Sequence, residues 1–213
     1  MVFIFKQNGD AMDCGNFRGI KLAKPGLKVF ERLINETLRE IVKIMKHHRA
    51  LNHRLFQSLC EEVCQEHTVL LYHTEVRWMS RGRVLSRVFD LRGEIHHFLH
   101  ERVQELPIHF NDPSFVQMLA YLADVFSALN ELNLSLQGRG LNIMTAREKL
   151  AAFKEKLVLW IKRVKMGNLV NFPCLEETVT GNSTLPPNFV AKIVEHMQML
   201  CTSFEGYFSC GEL

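Results

Sequence analysis

Long apolar runs are missing from this sequence. Its apolar segments are short and interrupted by charge, and none approaches the roughly 20 apolar residues that a membrane-spanning helix needs. The first residues have no basic segment before their apolar residues and no small-residue cleavage site after them, so a secretory signal is not expected. We therefore expect a nuclear or cytoplasmic protein that is not secreted and has no membrane partner.

Cysteine is sparse and scattered. The six cysteines lie at positions 14, 60, 64, 174, 201 and 210, which is not the framework of a disulfide-stapled secreted domain. Cys60, Cys64 and His67 form a Cys-x3-Cys-x2-His cluster that lacks a fourth ligand at zinc-site spacing. Cys60 and Cys64 also fit one face of an amphipathic helix. We expect reduced thiols, a packing role for this cluster, and no bound metal.

The common enzyme motifs are absent as well. The sequence has no Gly-x4-Gly-Lys-[Ser/Thr] phosphate loop, no Gly-x-Ser-x-Gly elbow and no His-Glu-x2-His zinc helix. No cofactor and no small-molecule substrate are therefore expected. Low-complexity tracts and repeats at solenoid periods are also missing.

The composition is that of a folded chain with an uneven charge distribution. With 47% hydrophobic residues in 213, the chain can bury one core, and a disordered chain is excluded. Residues 1–50 hold ten Lys and Arg against five Asp and Glu, whereas residues 51–213 hold sixteen against eighteen. DNA contacts in the larger part must come from local basic patches, unless these are only solvated helix faces. The candidate patches are Arg77, Arg81, Arg83 and Arg87, and Lys154, Lys156, Lys162, Arg163 and Lys165.

The apolar spacing predicts a mainly α protein with a small mixed segment at the N-terminus. Residues 2–6 and 17–22 are typical of short strands around a polar turn, and Pro25-Gly26 then opens a helix. This pattern is a strand-turn-strand-helix fragment. Beyond it, apolar residues recur every three or four positions, which predicts helices, apart from a strand or extended link at 68–72. Short loops favour an antiparallel helical bundle.

Local signals predict where the helices begin and end. One helix is expected from a cap at Ser80 to Leu99, with His96, His97 and His100 on its surface. The next should run from Asn111-Asp112-Pro113 to Gly138, with an apolar stripe from Phe115 to Leu136. A third should begin at Thr145, or a few residues earlier, and end at Gly167-Asn168, with Trp160 in the core. Residues 173–187 are expected to be a loop, and a last helix to span about Asn188 to Phe208.

The segment His73-Thr-Glu-Val-Arg-Trp-Met-Ser-Arg-Gly-Arg is the candidate DNA-binding site. An indole ring stacks on a base face, and nearby guanidinium groups neutralise phosphates. The predicted binding residues are Arg77, Trp78, Ser80, Arg81 and Arg83. In the alternative interpretation, Trp78 covers the helical core.

Residues 51–138 resemble hAT-family transposases. The resemblance rests on Leu51-Asn-His-Arg-Leu-Phe, on Val76-Arg-Trp-Met-Ser-Arg-Gly and on the segment 121–138. More narrowly, it is similar to their host-derived relatives, which include SCAN domain-containing protein 3, BED zinc-finger proteins and general transcription factor II-I repeat proteins. The resemblance implies that residues 42–208 are the helical insertion and its entry. It also favours the nucleus and implies that Arg77, Trp78 and Ser80 lie beside the cleaved DNA flank.

The same resemblance implies that catalysis is lost. hAT transposases cut DNA with two Asp and one Glu that hold two metals. We expect the strands that carry the Asp residues to be replaced here, and the chain to stop before the catalytic Glu. Glu205 and Glu212 are poor substitutes, because without Asp partners they cannot hold two metals roughly 4 Å apart.

The first forty residues resemble a different mobile-element enzyme. Phe5-Lys-Gln-Asn-Gly-Asp, Cys14-Gly-Asn-Phe-Arg-Gly-Ile and Lys28-Val-Phe-Glu-Arg-Leu-Ile-Asn follow one another as in the fingers of non-LTR retrotransposon reverse transcriptases. The palm aspartates that bind metal in those enzymes do not follow. We expect a reverse-transcriptase-like fragment at 1–41, the hAT-like helical region at 42–208 and a tail at 209–213.

These observations predict a catalytically inactive, transposon-derived fragment that retains DNA binding. One alternative is a protein-interaction or dimerisation module that uses the stripe at 112–136. Another is an enzyme whose missing carboxylates come from a partner polypeptide. A third is an unexpressed remnant of two mobile elements.

Overall fold

The computed structural model describes residues 2–5, 17–20, 36, 78–100, 110–136, 143–179 and 184–208. The elements in chain order are β1 (Val2–Phe5), β2 (Phe17–Ile20), α1 (Trp78–Asp90), α2 (Arg92–His100), α3 (Pro113–Ser135), α4 (Ile143–Lys165), α5 (Pro173–Glu177) and α6 (Pro187–Phe208). The prediction of a mainly α fold is confirmed. The helix after Pro25, the link at 68–72 and the cluster of Cys60, Cys64 and His67 lie outside the described residues.

Strands β1 and β2 pair antiparallel, with Val2 opposite Ile20 and Phe5 opposite Phe17. By compactness the chain divides into two units. Unit 1 comprises Met1–Lys28, Ala128–Asn171 and Gly181–Leu213, and unit 2 comprises Val29–Ser127 and Phe172–Thr180. The predicted boundary at 41/42 stays a prediction, because the residues on both sides of it lie outside those described. Among the described helices, none is long and apolar enough to cross a membrane.

Helices α1 and α2 of unit 2 cover the helix predicted over 80–99. The prediction that Ser80 caps this helix is wrong, because the helical backbone already begins at Trp78 and Ser80 lies in the first turn. A turn at Leu91 separates α1 from α2, yet the backbone hydrogen bonds run across it. The Leu91 N–H donates to the Arg87 carbonyl at 3.1 Å, and the Ile95 N–H donates to the Leu91 carbonyl at 2.8 Å. The two helices therefore follow one another without a loop.

The histidines of α2 differ in exposure. His97 is exposed, as predicted, whereas His96 is half-buried. His96 is followed two residues later by the buried Phe98. The prediction of a surface position is therefore confirmed for His97 and wrong for His96, and the side chain of His100 lies outside those described.

Helix α3 begins as its sequence predicts. The Ser114 N–H donates to the Asp112 carboxylate at 2.9 Å, so Asp112 caps the first turn, and Pro113 takes the first helical position, where no N–H is needed. The helix ends at Ser135, and Gly138 lies outside the described residues. In the part that belongs to unit 2, the ring of Phe115 meets that of Phe110 edge-on, with centroids 5.6 Å apart.

The apolar stripe of α3 is part of the core. Leu119 and Leu122 are at most 1% exposed, and Phe115, Phe126, Leu129 and Leu136 are also buried. These buried side chains serve the core of this chain, which argues against the alternative that makes the stripe a dimer or partner face.

Unit 1 is organised around α4 and α6. The Phe153 ring meets Trp160 within α4 and Phe204 of α6 in edge-on contacts with centroids 6.2 and 5.6 Å apart. Leu157 and Met197 are fully buried. The predicted core position of Trp160 is confirmed, because its side chain is 3% exposed.

The sequence predictions for the start and the end of α4 can both be compared with the structure. The helix starts at Ile143, so the earlier of the two predicted starts is correct and Thr145 lies within the first turn. At the other end Gly167 has φ +74°, a conformation that favours glycine. The Gly167 N–H donates to the Val164 carbonyl at 3.0 Å and the Asn168 N–H to the Arg163 carbonyl at 2.9 Å. This pair of bonds is the Schellman C-cap, and it confirms the predicted stop.

The loop predicted over residues 173–187 is wrong at its start. Residues Pro173–Glu177 form the short helix α5, with proline in its first turn and a fully buried Leu175. Helix α6 then begins at Pro187, one residue before the predicted start, and ends at Phe208 as predicted.

Candidate nucleic-acid interface

Helix α1 carries the candidate interface and has two distinct faces. Its inner face is apolar, with Val84, Leu85, Val88 and Phe89 at most 2% exposed. Gly82 is buried on the same side. This spacing of three and four residues fixes which way the helix is turned, and so determines which residues reach solvent.

The outer face of α1 is polar and partly basic. Arg83 and Asp90 are exposed, and Ser86 and Arg87 are half-buried. Arg83 and Arg87 lie four residues apart, so their positions share one face of the helix. An exposed arginine such as Arg83 can contact phosphate oxygens while the inner face stays in the core.

The structure describes only part of the predicted DNA-binding set. Arg77 lies outside the described residues. Trp78, Ser80 and Arg81 belong to the backbone of α1, but their side chains lie outside those described. Arg83 is therefore the predicted residue whose side chain is placed, and it lies in solvent. The convergence of the five residues on one DNA site stays a prediction.

The second basic patch, on α4, is only partly available. Lys156, Lys162 and Lys165 are exposed. The Lys156 ammonium group lies 5.2 Å from the centre of the Trp160 ring, which places it over the aromatic face. The Arg163 guanidinium donates to the Asn171 amide oxygen at 2.7 Å, so it ties the end of α4 to the segment that follows. Lys154 is half-buried. The patch is thus divided between structural contacts and free surface.

The role of Asp124, a residue of α3 in unit 2, was not predictable from sequence patterns. Its carboxylate accepts the N–H groups of Cys174 at 3.2 Å and of Leu175 at 3.0 Å. These are N–H groups of the first turn of α5, which has no cap from its own sequence. Burial raises the pKa of the Asp124 carboxyl, and the hydrogen bonds from Leu175 and Cys174 oppose that rise.

The surroundings of Asp124 exclude a reactive thiol. Burial, with the nearby charge of Asp124 as the next cause, raises the pKa of Cys174 to about 12. A thiol with this pKa stays protonated at neutral pH and is a poor nucleophile. Burial also raises the pKa of Tyr121 far above its usual value. The Tyr121 ring packs on Phe172 with centroids 5.8 Å apart, so both groups serve the core.

A shallow groove of about 430 Å³ lies beside these residues in unit 2. It is lined by Arg92, His96, Asn111, Gln117 and Glu177, among others. The Arg92 guanidinium donates to the Glu177 carboxylate at 2.6 Å and to the Phe89 carbonyl at 2.8 Å. Its charge is already balanced, which argues against an anion site. In the described ranges, no three His, Cys, Asp or Glu side chains meet in a way that could hold a metal ion.

Comparison with known proteins identifies the family of the helical region. A family model for the FAM200/GTF2IRD2 helical domain matches residues 27–165. The general transcription factor II-I repeat domain-containing protein 2 of Bos taurus is 38% identical over 147 residues, which cover 69% of this chain and 15% of the cattle protein. The chain therefore spans a small part of that relative's length. No solved structure matches it.

Proposed function

Because the chain belongs to the FAM200/GTF2IRD2-like helical domain family, we propose that it is a non-catalytic, transposon-derived binding module whose ligand is DNA. The cattle relative is named as a transcription-factor repeat protein and not as an enzyme, which supports a binding role and a nuclear location. The chain corresponds to only 15% of that protein, so the activity of the whole relative is not carried over.

The proposal extends to the origin of the chain. Residues 42–208 derive from the helical insertion of a hAT transposase, and residues 1–40 from the fingers of a retrotransposon reverse transcriptase. For residues 42–208 the family match supports a helical domain and does not extend to a hAT origin. The match begins at residue 27, upstream of the proposed junction. Under this proposal the chain does not carry out the catalysis of either enzyme, and DNA binding is the activity that it retains.

The exposed Arg83 on the outer face of α1 is the observation that carries the DNA proposal. An exposed arginine held on a helix suits phosphate contact. Ser80 precedes Arg83 by three residues and Arg87 by seven, so helical periodicity puts its position on the same face. A hydroxyl there can donate to a phosphate oxygen.

The same periodicity gives Trp78 a different role from the one predicted. Position 78 precedes Gly82, Leu85 and Phe89 by four, seven and eleven residues, and these spacings share one face of a helix. We therefore favour the interpretation in which Trp78 extends the apolar face of α1. By this reasoning DNA binding rests on phosphate contacts and not on a stacked base.

Titration of the full chain with a fluorescent DNA duplex at several salt concentrations tests the phosphate contact. Arg83→Ala should weaken binding and reduce the slope of log affinity against log salt by about 0.9, the contribution of one phosphate contact. Arg147→Ala is the matched control, since Arg147 is an exposed arginine on α4, in unit 1. Equal effects of the two substitutions would show that the affinity is non-specific attraction. No binding of the wild-type chain at low salt would end the DNA proposal.

The role of Trp78 needs its own pair of variants. Trp78→Ala should lower the urea midpoint of unfolding, and Trp78→Phe should recover most of it, because Phe restores apolar volume. A Trp78→Ala chain that stays folded but binds an extruded-base duplex about tenfold more weakly than the wild type would instead support base stacking.

A further inference from the structure

The outward face of α4 carries an apolar stripe that the rest of unit 1 leaves uncovered. Met166 is 82% exposed, Met144 59% and Leu159 44%. Ala152 is exposed as well. Ala152, Leu159 and Met166 are seven residues apart, and Met144 lies eight residues before Ala152. Met166 directly follows α4, and its N–H still donates to the Lys162 carbonyl at 3.3 Å, so these four residues share one side of the helix. We call them the α4 stripe. The buried face of α4, which carries Phe153 and Leu157, is the one that serves the core.

Exposed charges of both signs lie along the α4 stripe. Glu148 and Glu155 are exposed between its apolar positions in the first part of the helix, and Lys162 is exposed between Leu159 and Met166. Lys156 lies at the margin, where its ammonium group covers the Trp160 ring. Glu155 and Lys162 therefore place opposite charges on either side of Leu159, while Arg147 is exposed beside Glu148.

Two copies of this stripe are complementary in charge when their helices run in opposite directions. In an antiparallel pair with a two-fold axis near Leu159, Glu155 of each chain faces Lys162 of the other, and each charge contact occurs twice. The same axis sets Ala152 opposite Met166, so that a small residue meets a large one. A parallel pair would instead place like charges side by side.

We propose that the α4 stripe is a self-association surface and that its occupant is the α4 helix of a second copy of this chain, packed antiparallel. Three apolar residues of each chain, Ala152, Leu159 and Met166, lie where the two helices overlap, and Met144 lies beyond the overlap. Such an interface is small and should be weak and reversible. Two copies joined in this way would present two α1 helices to DNA, and the resulting gain in affinity would depend on protein concentration.

Sedimentation of the full chain over a wide concentration range tests this proposal. Wild type should show a monomer–dimer equilibrium with a dissociation constant of about 10–100 μM, as expected for a small interface. Met166→Lys should abolish the dimer without unfolding the chain, because the residue is almost fully exposed. Glu195→Lys is the matched control, since Glu195 is an exposed glutamate on α6, outside the stripe. Far-UV circular dichroism verifies that each variant is folded.

Charge reversal gives the sharper test of orientation. Glu155→Lys and Lys162→Glu should each weaken the dimer by about tenfold or more, because the symmetry turns two attractive contacts into two repulsive ones. The double variant should restore the dimer to within about threefold of wild type, since every pair is then opposite in sign again. Failure of the double variant to recover would overturn the antiparallel pairing. A wild-type chain that remains monomeric at every concentration would refute self-association. The α4 stripe would then have to bind a different protein.

Discussion

Substitution of Asp124 by alanine offers the most direct test of how unit 2 is held together. In the wild type the carboxylate accepts the N–H groups of both Cys174 and Leu175. The Leu175 bond is buried, and a buried donor left without a partner costs about 1–3 kcal/mol. The Cys174 bond is half-buried and contributes less. Removal of the carboxylate also relieves the cost of burying it, so we expect a net loss of about 2 kcal/mol.

Asp124→Asn is the matched control for this change. The amide keeps one carbonyl oxygen as an acceptor and carries no charge, but its NH2 group cannot accept the second N–H. We expect it to lose about half as much stability as Asp124→Ala. Urea denaturation followed by circular dichroism gives both values from the shift in midpoint, provided that the slope is unchanged.

The pH dependence separates the charge of Asp124 from its hydrogen bonds. Burial raises the pKa of Asp124 in the folded chain above its usual value of 3.8, so the folded state holds this proton more tightly than the unfolded state. The contribution of Asp124 to the free energy of unfolding must therefore fall as pH rises from below 3.8 through the raised pKa. Over that pH interval the wild type should lose stability relative to Asp124→Asn. At higher pH the difference in stability between the two chains should stay constant. A wild-type chain that gains stability relative to Asp124→Asn, or an Asp124→Ala chain as stable as wild type, would refute this account of α5.

Further variants test the rest of the fold. Leu122→Ala and Leu157→Ala should each cost about 2–5 kcal/mol, because both side chains are at most 1% exposed; unchanged urea midpoints would show that the core is misassigned. Gly167→Ala should cost about 1–2 kcal/mol through its φ of +74°, whereas Gly93→Ala, in α2 with open space around it, should stabilise by up to about 1 kcal/mol. Equal effects of the two would contradict the C-cap. Burial lowers the pKa of His196 to about 4, so stability should fall as pH drops from 6.5 to 4, and His196→Gln should remove that dependence; an NMR titration midpoint near 6.5 would contradict it.

Helix ends were predictable where the signal was local. Asp112 and Pro113 start α3 through one side-chain hydrogen bond and one fixed φ, and both are readable from neighbouring residues. Gly167 ends α4 for an equally local reason. Ser80 shows the limit of this reasoning. A serine can cap a helix or sit in its first turn, and the choice between the two depends on packing beyond the segment.

Helix α5 was not predictable, because what stabilises it lies elsewhere in the chain. Its five residues follow Phe172 and begin with Pro173, which is typical of a helix start. The Thr, Gly, Asn and Ser residues that follow are typical of a loop, and the loop was predicted for that reason. The cap comes from Asp124, about fifty residues away in sequence. An aspartate within an apolar helical pattern gives no sign of which N–H groups it will meet. The same limit applies to the predicted DNA site, where the sequence gives residue types and only Arg83 has a described exposure.

The location of an interaction surface follows from the same physics. The stripe of α3 is apolar over much of the helix circumference, and it suggested a partner face for that reason, yet its central residues Leu119 and Leu122 are buried. A continuous apolar stripe gains most by joining the core of its own chain, because no second molecule has to be found. A surface that must remain soluble before it associates has to mix apolar and charged residues. Helix α4 has that mixture, with Leu159 and Met166 exposed between Glu155 and Lys162. The weaker apolar pattern is therefore the better candidate for a contact between molecules.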